Sequence, residues 1–294
     1  MAFKIITADE RLAETNAKIT MAIFGGFGIG KTSLLYTLDP ETTLALDFEA
    51  GMLSVQNWKG DSIPLRTYQD AMDIACLIGG PNEAMRPQDP FSPDHYAHVR
   101  KSYPDFNLDK YRTVFFDSVT DLTHVAFQYA KTQPSAYNAK GVEDVRGMYG
   151  ELGRQVVSLL KHLQHAPGKN MIFVGRLQKS TDDFNRVTFE PQMTGSMAAR
   201  ELPGIVDEVI SMSRFDYDEA TGWKHNFDQG LHRGFVCLTN NPYGLPAKDR
   251  SGNLEMVEEP HLGRLMEKIA QRNKGDKPMQ FGTPAVERTA EKTA

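Results

Sequence analysis

The sequence predicts an α/β fold in which a mostly parallel, twisted sheet carries helices on both faces. Apolar runs typical of buried strands alternate along the chain with segments whose apolar residues recur at helical spacing. A glycine-rich segment, Gly25 to Gly30, also joins the first of these strands to the first of these helices. Because strands that alternate with helices need crossover connections, most neighbouring strands are expected to run parallel.

The first half of the chain contains four predicted strands and three predicted helices. Residues 1–18 are polar and form an N-terminal arm, after which one domain is expected to span residues 19–272. The predicted elements are strand 19–24, a helix beginning at Lys31 and reaching Leu38, strands 42–48 and 63–67, helix 69–78, strand 111–117 and helix 121–131. Residues 79–110 hold four prolines from Pro81 to Pro93, which predicts an insertion over the surface.

In the second half of the chain, predicted strands and helices continue to alternate up to about residue 271. The predicted elements are helix 144–165, strand 170–174, a hairpin over 181–192 that turns near Asp183 and Asn185, strands 205–215 and 234–239, and helix 261–271. Charged residues, Pro and Thr dominate residues 273–294. We therefore expect a disordered tail there, because such a composition buries too little apolar surface to fold.

Composition restricts the compartment and the partners. No apolar run approaches the length of a membrane-spanning helix and the N-terminus does not resemble a signal peptide, so we expect a cytoplasmic protein without a membrane partner. Cys76 and Cys237 are too few for a disulfide framework or a zinc site, which suits a reducing compartment. The formal net charge of −5 argues against non-specific coating of nucleic acid. Contact with DNA would need a local patch or repeated subunits.

Gly25, Gly30, Lys31 and Thr32 fit every fixed position of the phosphate-loop motif G-x-x-x-x-G-K-[ST]. The motif needs glycines because the backbone must curl around phosphate oxygens with its N–H groups pointing inward. The lysine reaches the β- and γ-phosphates, the threonine hydroxyl binds Mg²⁺, and the following helix points the positive end of its dipole at the anion. The residues predicted to bind ATP are Gly25, Gly26, Phe27, Gly28, Ile29, Gly30, Lys31, Thr32 and Ser33.

Two carboxylates that follow predicted strands are candidate partners of this loop. Asp117 ends an apolar strand that we expect beside the phosphate-loop strand, where a carboxylate would hold Mg²⁺ together with Thr32. Glu49 follows a strand that is also expected next to the phosphate-loop strand, and it would orient and deprotonate the attacking water. Asp47 competes with Glu49 for this role.

The order of these motifs resembles the RecA-type recombinase core. A phosphate loop is followed by Asp47-Phe48-Glu49 and then by Phe115-Phe116-Asp117-Ser118, and in that family the catalytic glutamate follows the second strand. Over about residues 19–250 the chain resembles in particular the compact RecA-like ATPases of bacteriophages, including the Sak-type single-strand annealing proteins. The resemblance implies a RecA-type P-loop NTPase core, a homo-oligomer and the cytoplasm of an infected bacterium.

The resemblance also implies roles for the region after residue 170. Strand 170–174 would lead to a residue that senses the γ-phosphate, with Arg176 and Gln178 as alternatives, and residues 177–195 would occupy the place of a DNA-binding loop. Its candidate contacts to single-stranded DNA are Lys179, Phe184, Arg186 and Phe189. Three carboxylates offset this charge, namely Asp182, Asp183 and Glu190. Because the rings could instead pack the hairpin, both interpretations stay open.

Lys248 and Arg250 lie in the segment Ala-Lys-Asp-Arg, which resembles segments of phage proteins of this type. RecA-like assemblies insert cations from one subunit into the ATP site of the next. The resemblance therefore implies that Lys248 or Arg250 stabilises the transition-state charge in a neighbouring subunit. A solvated loop cation is the alternative interpretation of either residue.

Three functions remain as hypotheses. The first is an ATP-dependent DNA recombination or annealing protein of phage origin. The second is a nucleotide-gated assembly or adaptor ATPase that binds a protein partner instead of DNA. The third is a small-molecule kinase, but such kinases usually carry an arginine-rich lid, and residues 79–110 offer only Arg86 and Arg100.

Overall fold

The computed structural model describes residues 5, 7, 9–10, 18–181, 185, 187–220 and 222–271. Most of the predicted N-terminal arm and all of the predicted tail, 273–294, lie outside these residues. The described residues form ten strands in one sheet: β1 (Thr20–Gly25), β2 (Thr43–Asp47), β3 (Asp61–Pro64), β4 (Thr113–Asp117), β5 (Asn170–Thr181), β6 (Val187–Gln192), β7 (Glu208–Asp218), β8 (Gly222–His225), β9 (His232–Val236) and β10 (Val257–Glu258).

The helices of the described ranges lie mainly in the connections between strands. They are α1 (Tyr68–Gly79), α2 (Pro93–Ser102), α3 (Val119–Lys131), α4 (Val145–Gln164), α5 (Ser196–Ile205) and α6 (Leu262–Ala270), with 3₁₀ helices at Thr32–Thr37, Gly51–Val55 and Pro134–Ala136. Side chains of Thr67, Ser118 and Asp144 cap the first turns of α1, α3 and α4. In the part of the chain that the structure describes, no helix has the length and apolar character needed to cross a membrane.

The sheet has the strand order β10-β9-β7-β1-β5-β4-β2-β3, with β6 paired to β5 and β8 paired to β7. The strands from β7 to β3 in this order run parallel, whereas β6, β8, β9 and β10 are antiparallel to their neighbours. This arrangement confirms the predicted α/β fold with a mostly parallel sheet. We call the edge at the carboxyl ends of the parallel strands the carboxyl edge, and the opposite edge the amino edge.

Helices cover both faces of the sheet, as the sequence predicts. Phe115 and Phe116 in β4 point to opposite faces because successive strand side chains alternate. Phe116 packs in the core under α1, α3, α4 and α5. Phe115 packs in the core under α6 and the 3₁₀ helix Thr32–Thr37. The parallel strands β1, β2 and β4 are therefore buried along their whole length, whereas the edge strand β3 is mostly exposed.

β5 is much longer than the predicted strand 170–174. It runs on to Thr181 because its second half pairs with β6, from Arg176 opposite Gln192 to Thr181 opposite Val187. The predicted hairpin therefore begins inside β5 and not at residue 181. Of its predicted turn residues, Asn185 has the left-handed φ of 60°, and Asp183 lies outside the described residues.

Two helical predictions also differ from the structure. The predicted helix after the phosphate loop, Lys31 to Leu38, is a six-residue 3₁₀ helix that ends one residue early, Thr32–Thr37. Pro40 helps to explain the early end because proline disfavours a helical conformation in the residue before it. Within the predicted insertion 79–110 the structure adds α2, which begins at Pro93 after the Ser92 cap and packs against α1.

The predicted neighbours of the phosphate-loop strand are wrong. β5 lies between β1 and β4, and β4 lies between β5 and β2, so neither the strand before Asp117 nor the strand before Glu49 adjoins β1. A crossover connection can carry the chain past a position that a later strand fills, so the order in sequence does not determine the order in space. The ends of β1, β4 and β2 nevertheless lie at the same edge of the sheet, beside the middle of β5.

Candidate nucleotide-binding site

The phosphate loop leaves the carboxyl end of β1 as a tight turn. Gly28 and Gly30 have φ values of 66° and 96°, in the left-handed region that glycine adopts without strain. A Cβ at Gly25 would lie 3.0 Å from both the Ile29 side chain and a backbone oxygen of β7, so the base of the turn has no room for a side chain. Ile29 is buried beneath the loop and Phe27 is exposed at its tip. These glycines leave a backbone cradle that suits phosphate.

Lys31 folds back over this turn. Its Nζ donates hydrogen bonds to the carbonyl oxygens of Gly25 and Gly26, both at 3.1 Å. Burial lowers the pKa of the Lys31 ammonium, while the nearby carboxylates Glu49 and Asp117 act in the opposite direction. The cation is therefore held inside the glycine turn, where a triphosphate requires it.

Thr32 and Asp117 meet at the carboxyl edge although 85 positions separate them in the sequence. The Thr32 hydroxyl donates to Asp117 Oδ2 at 2.6 Å. Burial raises the pKa of Asp117 to about 6, against the opposing effect of the Thr32 hydrogen bond. Hydroxyl and carboxylate oxygens fit Mg²⁺, which usually takes one or two protein ligands beside phosphates and waters. A bound dication would favour the ionised form of Asp117.

Glu49 belongs to a charged cluster beside this pair. The Ser118 hydroxyl donates to Glu49 Oε1 at 3.0 Å, and Arg176 Nη2 donates to the same oxygen at 3.2 Å. Arg176 also bonds to Asp121 Oδ2 at 3.1 Å, and its backbone amide donates to the Thr120 hydroxyl at 2.9 Å. Arg176 is thereby held through its backbone amide and its guanidinium, and the guanidinium joins the Glu49 and Asp121 carboxylates.

Asp47, the alternative to Glu49, has a different environment. It is buried, and its Oδ1 accepts the backbone amide of Gly51 at 3.1 Å. Asp47 thus closes the turn that follows β2, as short polar side chains often do. Glu49 is only partly buried, so its carboxylate is the more accessible of the two to a water molecule.

The register of the parallel strands brings these groups together. Gly25 lies opposite Arg176, Asp117 lies opposite Val174, and Asp47 lies opposite Asp117. The ends of β1, β4 and β2 are therefore level with the middle of β5, near Val174 to Arg176. In open α/β sheets, ligands bind outside the carboxyl ends of the strands. The site thus occupies the expected position for this fold class.

A sequence profile of one family, described as the AAA domain, matches residues 17–251. The chain belongs to the AAA domain family. The family and the phosphate loop together make the chain an AAA-type P-loop ATPase domain, and they imply that it binds a nucleotide.

Three solved structures are similar to this AAA domain at low sequence identity and with low TM-scores. One is an ATPase from the type III secretion system of pathogenic bacteria, with 19% identity and a TM-score of 0.36 over 67% of this chain and 52% of that chain. The RadB recombinase has 11% identity and a TM-score of 0.28, over 82% and 90%. The P4 protein from bacteriophage phi13 has 13% identity and a TM-score of 0.27, over 74% and 58%. The AAA domain thus spans about half of the secretion ATPase. No curated protein matches the sequence.

Lys248 and Arg250 lie at the amino edge of this AAA domain, so its own chain does not bring them to the phosphate loop. Lys248 Nζ donates to the carbonyl oxygens of Pro203 and Val206, at 2.7 and 2.6 Å. Arg250 Nη1 bonds to a carboxylate oxygen of Asp207 at 2.7 Å, just before β7 begins. A role in the site of a neighbouring subunit stays a prediction.

The candidate DNA-binding segment 177–195 is only partly described, because Asp182, Asp183, Phe184 and Arg186 lie outside the described residues. Lys179 Nζ pairs with Asp228 at 3.2 Å. The Phe189 ring packs on the Phe227 ring with 4.9 Å between centroids. Both described candidates therefore make contacts within the chain, which is the packing alternative that the sequence left open.

The sequence does not predict several members of the site. It suggests Arg176 only as a γ-phosphate sensor and does not predict its ion pairs with Glu49 and Asp121. Ser118 and Asp121 carry a local signal, because a serine N-cap with an acidic residue three positions later is typical of a helix start. That signal predicts a cap, and only the tertiary structure shows that the same hydroxyl also contacts Glu49.

Proposed function

We propose that this AAA domain binds ATP with Mg²⁺ and hydrolyses it to ADP and phosphate. The observation that carries the proposal is the meeting of Lys31, the Thr32–Asp117 pair and Glu49 at one edge of the sheet. These groups follow three different strands, and they supply the three functions that phosphoryl transfer needs. Those functions are charge for the phosphates, oxygen ligands for a metal and a base for water.

Each side chain has one proposed role. Lys31 and the backbone of residues 25–33 hold the phosphates, and Thr32 with Asp117 holds Mg²⁺. When bound, Mg²⁺ neutralises charge on the β- and γ-phosphates. Glu49 accepts a proton from the water whose oxygen attacks the γ-phosphorus, while the bond from that phosphorus to the β–γ bridging oxygen breaks and the electron pair leaves with ADP.

Arg176 is proposed as a positioning residue for Glu49. Its guanidinium bridges Glu49 and Asp121, at 3.2 and 3.1 Å, so it fixes the direction of the Glu49 carboxylate. Because Arg176 is only partly buried and shares two carboxylates, it can keep one partner while it releases the other. This makes Arg176 the connection between the site and the rest of β5.

We further propose that hydrolysis serves DNA recombination or single-strand annealing by a homo-oligomer in a phage-infected bacterial cytoplasm. The order of the motifs in the sequence supports this proposal, through its resemblance to RecA-type and Sak-type proteins. Residues 19–272 would form the RecA-like ATPase domain, and residues 79–110 would be an insertion on its surface. β5 carries Arg176 in the site and continues into the hairpin of 177–195, so one strand joins the ATP site to the candidate DNA segment.

The second candidate function is a nucleotide-gated adaptor ATPase that binds another protein. A specific observation favours it: Lys179 and Phe189, the described cation and ring of the candidate DNA segment, contact Asp228 and Phe227 of the same chain. Neither side chain is then free for phosphates or bases without a rearrangement. The acidic net charge of −5 also fits a protein partner better than DNA.

The deciding experiment measures the ATPase rate with and without single-stranded DNA at two salt concentrations. DNA binding through phosphates predicts a stimulation that falls as the salt concentration rises. A hydrolysis rate that is the same with and without DNA would favour the adaptor function. A phosphorylated small molecule in place of free phosphate would instead identify a kinase. An absence of hydrolysis under all conditions, with ATP still bound, would contradict the enzymatic proposal.

A further inference from the structure

Two arginines face each other on strands at one side of the phosphate loop. Arg214 in β7 lies directly opposite Arg233 in β9, so both side chains project from the same face of the sheet. Like charges in this position destabilise a sheet pair. Within the described part of the chain, neither guanidinium has an ion pair with a carboxylate. The chain nevertheless has an acidic excess, with 38 acidic and 33 basic residues. An external anion would relieve this repulsion.

The Arg233 guanidinium lies against the phosphate loop. A Cβ built at Gly30 would be 2.9 Å from Arg233 Nη1 and 3.8 Å from the Ser33 hydroxyl oxygen. The absence of a side chain at Gly30 therefore leaves the room that Arg233 occupies. Arg233 is exposed, so its guanidinium is accessible to a ligand in the loop. This contact distinguishes Arg233 from an ordinary surface arginine, which needs only water as its partner.

The loop has two sides with different chemistry. On one side β1 adjoins β5, which leads to β4 and β2 with Asp117 and Glu49. On the other side β1 adjoins β7, which pairs with β9 and Arg233. Thr32 turns toward Asp117, so the metal and the γ-phosphate belong on the first side. A triphosphate that crosses the loop in this direction leaves its α-phosphate on the second side.

We propose that Arg233 binds the α-phosphate of the nucleotide, with Arg214 adding positive charge beside it. This inference rests on the proposed ATP binding and extends it with a residue outside the phosphate-loop motif. The planar guanidinium suits the task because it can donate two parallel hydrogen bonds to one phosphate group. ATP and ADP both carry an α-phosphate, so Arg233 contributes equally to the binding of substrate and product.

The test compares the affinities of ATP, ADP and inorganic tripolyphosphate for four proteins, measured by calorimetry. The proteins are the wild type, Arg233→Ala, Arg233→Lys and the control Arg86→Ala, which removes an exposed arginine paired with Asp89. We expect Arg233→Ala to lower the affinity for all three ligands about tenfold, because it removes a charge-assisted hydrogen bond. Arg233→Lys should restore part of the affinity by its charge, and Arg86→Ala should change nothing.

Steady-state hydrolysis supplies a second readout. Arg233→Ala should raise KM and leave kcat within about twofold, because a contact made equally in ground state and transition state contributes only to binding. The unfolding temperature without nucleotide should stay that of the wild type, while the increase caused by ADP should shrink. A general loss of structure would instead lower the unfolding temperature without nucleotide and would not be restored by Arg233→Lys.

The other outcomes separate this inference from the proposed function. Unchanged ADP affinity in Arg233→Ala, together with loss of binding in Lys31→Ala, would overturn the role of Arg233 and leave the ATPase proposal intact. Weaker nucleotide binding with unchanged tripolyphosphate binding would also overturn it, because the contact would then be to the nucleoside. Unchanged ATP binding in Lys31→Ala would reject the nucleotide site itself.

Discussion

The two edges of the sheet carry similar groups in different settings. At the carboxyl edge, Lys31 donates to two backbone carbonyls at 3.1 Å, and burial raises the pKa of Asp117 to about 6. At the amino edge, Lys248 donates to two backbone carbonyls at 2.7 and 2.6 Å, and burial raises the pKa of Glu208 to about 7. Burial is also the largest cause that lowers the pKa of both lysines.

The difference lies in the partners. Lys248 bonds to the carbonyls of Pro203 and Val206 at the end of α5, where a helix leaves carbonyls without partners and favours a cation. Lys31 bonds to carbonyls of a glycine turn that has little side-chain cover of its own. The same hydrogen-bond pattern therefore completes the fold at the amino edge and prepares a ligand site at the carboxyl edge. A perturbed pKa or a buried cation alone does not distinguish the two.

The strongest test of this comparison is Lys31→Ala. We expect ATP hydrolysis to fall at least about 100-fold and nucleotide binding to be lost, because the phosphates lose their cation. The free energy of unfolding should change by less than about 1 kcal/mol, because Lys31 supports a loop and not a packed helix end. ATPase assays and denaturant titration measure the two quantities. An unchanged hydrolysis rate would show that Lys31 does not serve a ligand site at the carboxyl edge.

Glu49→Gln separates chemistry from binding at the carboxyl edge. We expect kcat to fall about 100-fold while ATP affinity is retained, because a neutral amide cannot accept the proton from water. Asp47→Asn is the matched variant, and it should mainly weaken the turn after β2 that Asp47 closes. If turnover survives in Glu49→Gln and is lost in Asp47→Asn, Asp47 is the base and the accessibility argument is wrong.

Lys248→Ala tests the amino edge. We expect a loss of about 2 kcal/mol in the free energy of unfolding, because two carbonyls at the end of α5 lose a charged partner. Hydrolysis per folded molecule should stay unchanged in dilute, unassembled protein. Arg250→Ala should have a smaller effect, because its ion pair with Asp207 is exposed.

The predicted role of Lys248 and Arg250 in a neighbouring subunit needs an assembled sample. Replacing both should then reduce hydrolysis only where subunits assemble. Mixing this double variant with Lys31→Ala should restore hydrolysis, because each partner supplies what the other lacks. An assembled double variant with full activity would show that these cations serve only the fold.

The smallest expected effect is the contribution of Glu208 to the pH dependence of the free energy of unfolding. Burial is the largest cause of its raised pKa, followed by the nearby Asp249. The folded chain therefore holds this proton more tightly than the unfolded chain, so the contribution of Glu208 to stability is full below about pH 4.5 and is lost as the pH rises toward about 7. The pKa of Asp117 is raised too, so its contribution to stability is also lost as the pH rises, in this case toward about 6.

Glu208→Gln removes the titration of residue 208 and leaves that of Asp117. Between pH 5 and 8 we expect the free energy of unfolding to fall by about 1 kcal/mol less in the variant than in the wild type. Urea unfolding at a series of pH values measures the difference. Identical pH profiles for the two proteins would show that the folded chain does not raise the pKa of Glu208.

Much of the architecture follows from local patterns. The alternation of apolar strands with helical spacing predicted the α/β class, and most strand and helix positions agree with the structure within a few residues. The phosphate loop was also predictable, because its glycine positions and its Lys-Thr pair are adjacent in sequence and their conformation depends mainly on local backbone preferences. Directly after the loop, the predicted helix is a short 3₁₀ helix, Thr32–Thr37.

The neighbours in the sheet were not predictable in this way. The sequence placed Asp117 and Glu49 on strands beside β1, whereas β5 separates β1 from β4 and β4 separates β5 from β2. Strand order depends on how crossover connections pack over the sheet, and this packing involves the whole chain. The two carboxylates still reach the site because parallel strands end at one edge.

By itself the sequence determined the fold class, the phosphate loop and the candidate carboxylates, because each rests on residues close together in the chain. Only the tertiary structure decided which side chains meet. It pairs Arg176 with Glu49, brings Arg233 to Gly30 and places Lys248 at the edge away from the phosphate loop. The physical reason is that charge and hydrogen-bonding capacity belong to a residue, whereas a contact belongs to the packing of distant segments. Local preferences do not contain that information.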